Sequence, residues 1–103
     1  MFPENQGSAD ESETMDTVFT ALAHPARRQI LLALRSSNSR MTAGDIARSF
    51  SHTWPTTTRH LRVLESAGLV RVEKNGRERA YWLETKVLMH ITHKWLRWFE
   101  EGV

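Results

Sequence analysis

The chain of 103 residues has no cysteine, only five glycines and three prolines, and no basic residue among its first sixteen positions. The missing cysteines exclude a disulfide framework and a thiolate metal site. No apolar run approaches the roughly 18 residues of a membrane span, and no apolar segment follows a basic start as in a secretory signal. The glycines are scattered, so there is no glycine-rich phosphate loop. These absences favour a cytoplasmic protein without cofactor or membrane association.

Charge is divided unevenly along the chain. The segment 1–16 holds five of the twelve acidic residues, so 17–103 carries 14 basic and 7 acidic residues, a net charge of +7 (14 − 7). A compact basic body indicates a polyanionic partner, although a solvated basic surface would give the same count. A single domain of this length buries only about 60–65% of its unfolded surface, so a second subunit would add stability.

The apolar periodicity predicts five helices after a polar start. Residues 1–12 are predicted to form a disordered acidic tail, and 13–101 a single domain. Apolar residues recur at helical spacing in five segments, at 13–23, 25–36, 42–50, 54–67 and 85–100. Thr42 and Asp45 have the spacing of a capping box, and Ala67-Gly68 is the expected stop of the fourth helix.

Two short β-prone runs, 69–73 and 78–83, flank Asn75-Gly76, which is a strong hairpin signal. Pairing across that turn places Val70 opposite Tyr81 and Glu73 opposite Glu78. The second pair brings like charges together, so a shifted register or a longer loop stays open. The predicted fold is mainly α with a small β-hairpin: a winged helix-turn-helix of about five helices and a two-stranded wing over 70–83.

The helix predicted at 54–67 carries the clearest chemistry. Thr57, Leu61 and Leu64 share one stripe and are expected in the core, whereas the outward residues are hydroxyls and guanidiniums without an acid before Glu65. Guanidiniums bind guanine edges and phosphates, and hydroxyls bind phosphates, which indicates double-stranded DNA rather than an ordinary solvated face. The predicted DNA contacts are Trp54, Thr56, Thr58, Arg59, His60 and Arg62 on the helix and Lys74, Arg77 and Arg79 at the hairpin, unless that tip is an idle basic loop.

Three stretches of the sequence resemble the ArsR-type (arsenic-repressor-like) family of bacterial transcriptional regulators. They are ALAHPARRQIL at 21–31, TRHLRVLESAGLV at 58–70, and Gly76-Arg77 with Tyr81 and Leu83. The similarity covers about residues 15–100, and the middle stretch is the most specific. The resemblance implies a homodimeric winged-helix repressor that binds a palindromic operator near its own promoter. By position, it places Trp54, Thr56, Thr58, Arg59 and His60 in the recognition helix and Arg77 in the wing.

The sequence departs from the family pattern at several positions. Metal-sensing members have cysteines in the helix before the turn, where Ala47 and Ser49 stand here and cannot ligate a metal. Trp54 replaces a residue that is commonly small or polar, and Thr57 replaces an aliphatic core residue. The chain therefore resembles the cysteine-free branch of the family, and its effector stays unknown.

The aromatic residues near the C-terminus predict a homodimer. Trp95, Trp98 and Phe99 lie within five residues, and a chain this short cannot easily cover them all. Alternatively, they cap the monomer core or line an effector pocket. The first and last helices of the resembling family form its dimer interface. The predicted interface residues are Met15, Val18, Phe19, Leu88, Ile91, Trp95, Trp98 and Phe99.

The remaining motifs do not indicate catalysis. His90 and His93 share one side of the last helix, but the further histidine that a metal site would need upstream is missing, so surface or interface histidines are expected. The sequence shows no nucleophilic residue with an identifiable general base, and we expect no enzyme activity. Two other binding functions stay open: a winged helix used for protein–protein contact, and a sequence-neutral architectural DNA binder.

Overall fold

The computed structural model describes residues 9–50 and 53–100. Along the chain it has five α-helices and three β-strands: α1 Ala9–Leu22, α2 Pro25–Ser36, β1 Arg40–Thr42, α3 Ala43–Ser49, α4 Trp54–Ser66, β2 Val70–Asn75, β3 Glu78–Leu83 and α5 Thr85–Glu100. The winged helix-turn-helix prediction is confirmed, and α2 and α5 have the predicted bounds. Helix α1 begins at Ala9, within the segment 1–12 that the sequence analysis predicts as a tail. The rest of the predicted tail, and the turn at 51–52, lie outside the described residues.

Local sequence signals fix where the helices begin and end. The Thr42 hydroxyl accepts a hydrogen bond from the Asp45 N–H at 3.0 Å, and an Asp45 carboxylate oxygen accepts one from the Thr42 N–H at 3.3 Å. This is the predicted capping box. Gly68, at φ +77°, ends α4, and the Leu69 N–H donates to the Leu64 carbonyl at 3.0 Å. That bond belongs to a Schellman motif, in which a left-handed glycine is the usual stop.

The sheet has three antiparallel strands in the order β1-β3-β2, which corrects the predicted two-stranded wing. Sequence reasoning missed β1 because a strand of three residues with one buried apolar side chain, Met41, has no readable alternation. The guanidiniums of Arg40 and Arg71 lie over the Trp82 ring, with Cζ 5.6 and 5.5 Å from its centroid. These cation–π contacts join β1 to the hairpin.

The hairpin register differs from the predicted one by two residues. Tyr81 pairs with Val72 rather than Val70, and Glu78 pairs with Asn75 rather than Glu73. The loop is therefore Gly76-Arg77, with Gly76 at the first central position and φ +62°. Glycine at that position is typical of a type II′ turn. A shift of two keeps every side chain on its predicted face and removes the glutamate pair.

The core lies between the helices and one face of the sheet. Its largest fully buried side chains come from every helix and from the start of the wing: Val18, Ile30, Leu34, Ile46, Leu64, Leu69 and Ile91. Helices α1 and α5 lie together through an edge-to-face contact of Phe19 with Trp95, at 6.2 Å between centroids, and an ion pair of Glu11 with Lys94. Among the helices of the described residues, none has the length and apolar character to cross a membrane.

Candidate nucleic-acid interface

Helix α4 is held on the core by the stripe that the sequence predicts. Thr57, Leu61 and Leu64 are all at most 3% exposed. The buried Thr57 hydroxyl donates to the Thr53 carbonyl at 3.1 Å, so a threonine replaces an aliphatic residue here without an unsatisfied polar group. The Thr53 hydroxyl also caps the helix by accepting from the Thr56 N–H at 3.3 Å. These contacts fix which face of α4 points outward.

The outward side of the first two turns of α4 carries three of the predicted contact residues. Trp54 is the first residue of the helix and is 56% exposed. Arg59 is exposed and Thr58 is half-buried. Thr56 is also half-buried, and its hydroxyl oxygen accepts from the Thr53 hydroxyl at 2.9 Å. The helix thus presents an indole, a hydroxyl and a guanidinium near its positive N-terminal end.

His60 does not lie on this face, and its prediction as a DNA contact is wrong. The side chain is buried, with 6% of the residue exposed, and its ring lies 4.5 Å from that of His24 between centroids. On a helix, position 60 is next to Thr57, Leu61 and Leu64 on the core side. The helical periodicity placed His60 at the edge between the core face and the outward face. A polar residue at that edge is predicted to be exposed, and this led to the wrong prediction.

The wing brings a second group of cations to the surface. Lys74 and Arg79 are directly paired across β2 and β3, and Arg77 occupies the turn. All three are exposed. Like charges opposite each other destabilise a hairpin, so the pairing of Lys74 with Arg79 lowers the stability of the wing. A polyanionic partner would offset the repulsion.

A cleft of about 570 Å³ separates the start of α3, the outward side of α4 and the wing. Trp54 and Thr58 line it from α4, and Arg77 and Arg79 from the wing. The structure therefore brings two predicted helix residues and two predicted wing residues together around one concave surface, whereas Thr56, Arg59 and Lys74 do not line it. Arg48 of α3 also lines the cleft and was missed, because on the sequence it reads as a solvated residue.

Asp45 and Arg48 form an ion pair at the edge of this cleft, with 2.7 Å between Oδ1 and Nη2. The hydrogen bonds from the side chain and backbone of Thr42, helped by Arg48, hold the pKa of Asp45 below its ordinary value. The capping carboxylate is therefore ionised at neutral pH, and it partly neutralises Arg48.

Arg62 lies apart from the cleft. It lines a shallow groove between α4 and α1, together with Asp16, Thr17 and Thr20. The side chain is exposed but faces a region that contains a carboxylate. The structure thus places Arg62 at the groove beside α1, away from the residues that line the cleft.

The predicted dimer residues divide into three groups: buried, partly buried and exposed. Val18 and Ile91 are 0% and 1% exposed and belong to the protomer core, so their prediction as interface residues is wrong. Met15, Phe19 and Leu88 pack partly against that core. Five large apolar residues of α5 are exposed, and we call them the α5 apolar face: Met89, Trp95, Leu96, Trp98 and Phe99. Met89 and Leu96 were missed, although their spacing of seven puts them on one side.

His90 and His93 lie on the exposed side of α5. The Nε2 of His90 is 3.9 Å from a carboxylate oxygen of Glu11, and His93 shares a surface depression with Lys94 and Arg97. Among the described residues, no three histidine, aspartate or glutamate side chains are grouped as a metal site would need. The cations that surround His93 would also oppose a bound metal ion.

Comparison with known proteins places the chain among helix-turn-helix regulators. A model of a helix-turn-helix domain matches residues 22–73. The transcriptional repressor SdpR of Bacillus subtilis (strain 168) is 35% identical over 88 residues, which cover 85% of this chain and 96% of SdpR. The transcriptional repressor SmtB of Mycobacterium tuberculosis is 37% identical over 71 residues, 69% of this chain and 51% of SmtB.

Solved structures show the same similarity. A crystal structure of an ArsR family transcriptional regulator superimposes with a TM-score of 0.78 at 31% identity, covering 87% of this chain and 90% of that one. An ArsR-like transcriptional regulator from Rhodococcus sp. RHA1 gives a TM-score of 0.76 at 26% identity, covering 88% and 84%. The fold and the position of the helix-turn-helix agree in these comparisons.

Proposed function

This chain belongs to the ArsR-type family of winged helix-turn-helix transcriptional regulators, and from that premise we propose that it is a cytoplasmic repressor that acts as a homodimer on a palindromic operator. It binds double-stranded DNA and catalyses no reaction. Repression follows from exclusion, because a dimer bound over a promoter blocks access of the polymerase.

The cleft between α4 and the wing is the observation that carries this proposal. Trp54, Thr58 and Arg59 face outward near the helix N-terminus, and Arg77 and Arg79 stand across from them. In a winged helix, α4 enters the major groove and the wing follows the adjacent backbone. We assign base contacts to Arg59 and Thr58, van der Waals contact with a thymine methyl to Trp54, and phosphate contacts to the wing.

Three further residues are assigned phosphate contacts. Thr56 hydrogen-bonds within the helix cap, so its remaining hydroxyl proton is left to bind a phosphate. Arg62 lies one turn farther along α4, beside α1, and contributes a phosphate contact at the edge of the groove. Arg48 lines the cleft and becomes a phosphate contact when DNA replaces part of its pairing with Asp45.

The α5 apolar face supports the dimer. Five large apolar side chains, at 40–61% exposure on one helix, form a surface that water covers poorly in a monomer. Two-fold pairing of this face would place two copies of α4 on one side of the dimer. Recognition helices about 34 Å apart, one helical turn of DNA, would then enter successive major grooves.

A footprint on the DNA upstream of the gene tests the proposal. We expect protection of two half-sites related by a two-fold axis, with centres about one helical turn apart. A scrambled duplex should bind about 10³-fold more weakly. Equal affinity for both duplexes would indicate an architectural DNA binder, and the absence of DNA binding at 50 mM salt would favour a protein-binding module.

A further inference from the structure

A shallow groove between α1 and α4 lies beside the recognition helix and is separate from the cleft between α4 and the wing. We call it the α1–α4 groove. Its volume is about 370 Å³, within the range of about 300–1,000 Å³ that is usual for small-ligand sites. Each helix contributes three side chains: Asp16, Thr17 and Thr20 from α1, and Arg62, Val63 and Ser66 from α4. None of these residues lines the cleft.

The α1–α4 groove carries two opposite charges that are not joined to each other. Asp16 and Arg62 are both exposed, and neither forms an ion pair with any of the described residues. An exposed ion pair adds little stability, so the two side chains gain little by closing on each other. A ligand that carries both charges can satisfy the carboxylate and the guanidinium at once.

The rest of the lining offers hydroxyls and one apolar side chain. The Thr17 hydroxyl donates to the Glu13 carbonyl at 2.9 Å, so its oxygen is still able to accept a hydrogen bond. The hydroxyls of Thr20 and Ser66 form no hydrogen bond within the part of the chain that the structure describes. Val63 is half-buried and packs partly against the core. The groove thus combines both signs of charge with polar hydroxyls and a small apolar surface.

Both walls of the α1–α4 groove are held by the protomer itself. Val18 of α1 and Leu64 of α4 are fully buried in the core, so the two helices keep their separation. The Thr20 carbonyl also accepts a hydrogen bond from Arg27 Nη2 at 3.1 Å, which ties this wall to α2. A ligand would therefore meet a formed groove, and binding would cost little ordering of the backbone.

We propose that the α1–α4 groove binds a free α-amino acid in its zwitterionic form, and that this ligand weakens DNA binding. The carboxylate of the ligand accepts two hydrogen bonds from the Arg62 guanidinium, a geometry that arginine favours. Its ammonium group donates to the Asp16 carboxylate and to the Thr20 hydroxyl. Its side chain lies over Val63, which favours a small aliphatic amino acid.

The regulatory part of this inference rests on the proposed function, in which Arg62 contacts a phosphate at the edge of the groove of the DNA. A bound carboxylate occupies the donors of Arg62 that would otherwise bind this phosphate. Loss of one phosphate contact lowers affinity about fivefold near 0.15 M salt, because one counterion fewer is released. The coupling is reciprocal, so DNA must weaken the binding of the amino acid by the same factor.

The first experiment measures binding without DNA, by backbone amide NMR shifts of the full chain during titration with each of the standard L-amino acids. We expect an aliphatic amino acid to shift the amides of 16–20 and 62–66, with a Kd of about 1 mM or tighter. Its N-acetyl derivative and its amide, which each lack one charge, should bind at least about tenfold more weakly.

Matched variants test the same contact from the side of the protein. Asp16→Asn should weaken binding of the amino acid about tenfold or more, because the ammonium loses its carboxylate. Glu13→Gln removes an exposed carboxylate of α1 that does not line the groove, and it should keep the wild-type affinity. The single-charge derivatives give the same test on the unaltered chain if a variant does not fold.

The second experiment is fluorescence anisotropy with a labelled duplex of the DNA upstream of the gene, with and without a saturating concentration of that amino acid. Wild-type affinity should weaken about fivefold, and the slope of log affinity against log salt should fall by about 1. Asp16→Asn keeps Arg62, so it should bind DNA within about twofold of wild type and should not respond to the amino acid.

Three results would overturn the inference. They are no shift of the groove amides by any amino acid, equal binding of the single-charge derivatives, and a wild-type DNA affinity that a saturating amino acid does not change. Failure of DNA binding in the absence of any amino acid would instead contradict the proposed function, and the NMR titration would still test the groove.

Discussion

At the level of single residues, Gly68 joins the end of the recognition helix to the wing. Its φ of +77° belongs to the left-handed region, and a Cβ built there lies 3.3 Å from a methyl group of Val87 in α5. The stop of α4 therefore depends on a residue that has neither the backbone restriction nor the bulk of a side chain. Gly76 has a similar φ of +62° but nothing within 4 Å of its Cβ position.

The two glycines give a matched pair of substitutions. Gly76→Ala should lower the free energy of unfolding by about 1–2 kcal/mol, the cost of a Cβ in a left-handed conformation. Gly68→Ala should lower it further, because Val87 must also move. Urea unfolding followed by circular dichroism measures both. Equal losses would show that the contact with α5 has no effect.

The cap that Asp45 forms on α3, the helix before the recognition helix, makes the stability of the fold depend on pH in acid. Thr42 lowers the pKa of Asp45 in the folded state, so its carboxylate stabilises the fold above the unfolded pKa of about 3.9, and that stabilisation is lost as pH falls. Asp45→Asn does not titrate, so its free energy of unfolding should fall less steeply from pH 5 to 3. Glu65→Gln, on an exposed part of α4, is the control. An unchanged acid limb in Asp45→Asn would contradict the capping argument.

At the level of secondary-structure elements, the sequence was most informative where a signal was local. The His24-Pro25 entry to α2, the Thr42/Asp45 box and the stop at Gly68 are all short-range patterns, and each fixes a helix end in the structure. Strand β1 and the burial of His60 depend instead on distant partners, Tyr81 of β3 and His24. The hydrophobic periodicity of one segment contains no information about residues that are distant in the sequence.

The wing gives a prediction at this scale. Arg77 lies in the turn and lines the cleft, so Arg77→Ala should remove a phosphate contact and weaken binding to all duplexes alike. The slope of log affinity against log salt should fall by about 1 between 50 and 200 mM. Arg35→Ala, an exposed arginine in the last turn of α2, should leave the slope unchanged. An equal slope in the Arg77 variant would remove the wing from the interface.

At the level of the whole molecule, DNA binding and dimerisation are assigned to two separate surfaces. We propose the cleft with its arginines as the DNA-binding surface and the α5 apolar face as the dimer surface. Helix α1 connects them, since it packs on α5 through Phe19 and its last carbonyls bind Arg27 below the recognition helix. The sequence placed Val18 and Ile91 at the interface because it shows which residues share a helix face but not which face the protomer itself buries.

The dimer prediction follows from that second surface. Phe99→Glu should shift the protein from about 24 kDa, twice the 11.9 kDa chain, toward the monomer at micromolar concentration, because a charge would be buried between subunits. Leu32→Glu is the matched control, because Leu32 on α2 is 60% exposed and Phe99 61%. Sedimentation velocity measures both. A wild-type monomer, or a Phe99→Glu variant that stays a dimer, would contradict the assignment.

The proposed binding mode requires that Arg59 distinguishes one base sequence from another, and the affinities for specific and scrambled DNA measure this. The affinity of wild type and Arg59→Ala is measured for the footprinted duplex and for its scrambled counterpart at one salt concentration. Loss of a base contact should cost about 1–3 kcal/mol on the specific duplex and much less on the scrambled one, so the specificity ratio falls about tenfold or more. Arg35→Ala should keep the wild-type ratio. An unchanged ratio in Arg59→Ala would contradict the placement of α4 in the groove.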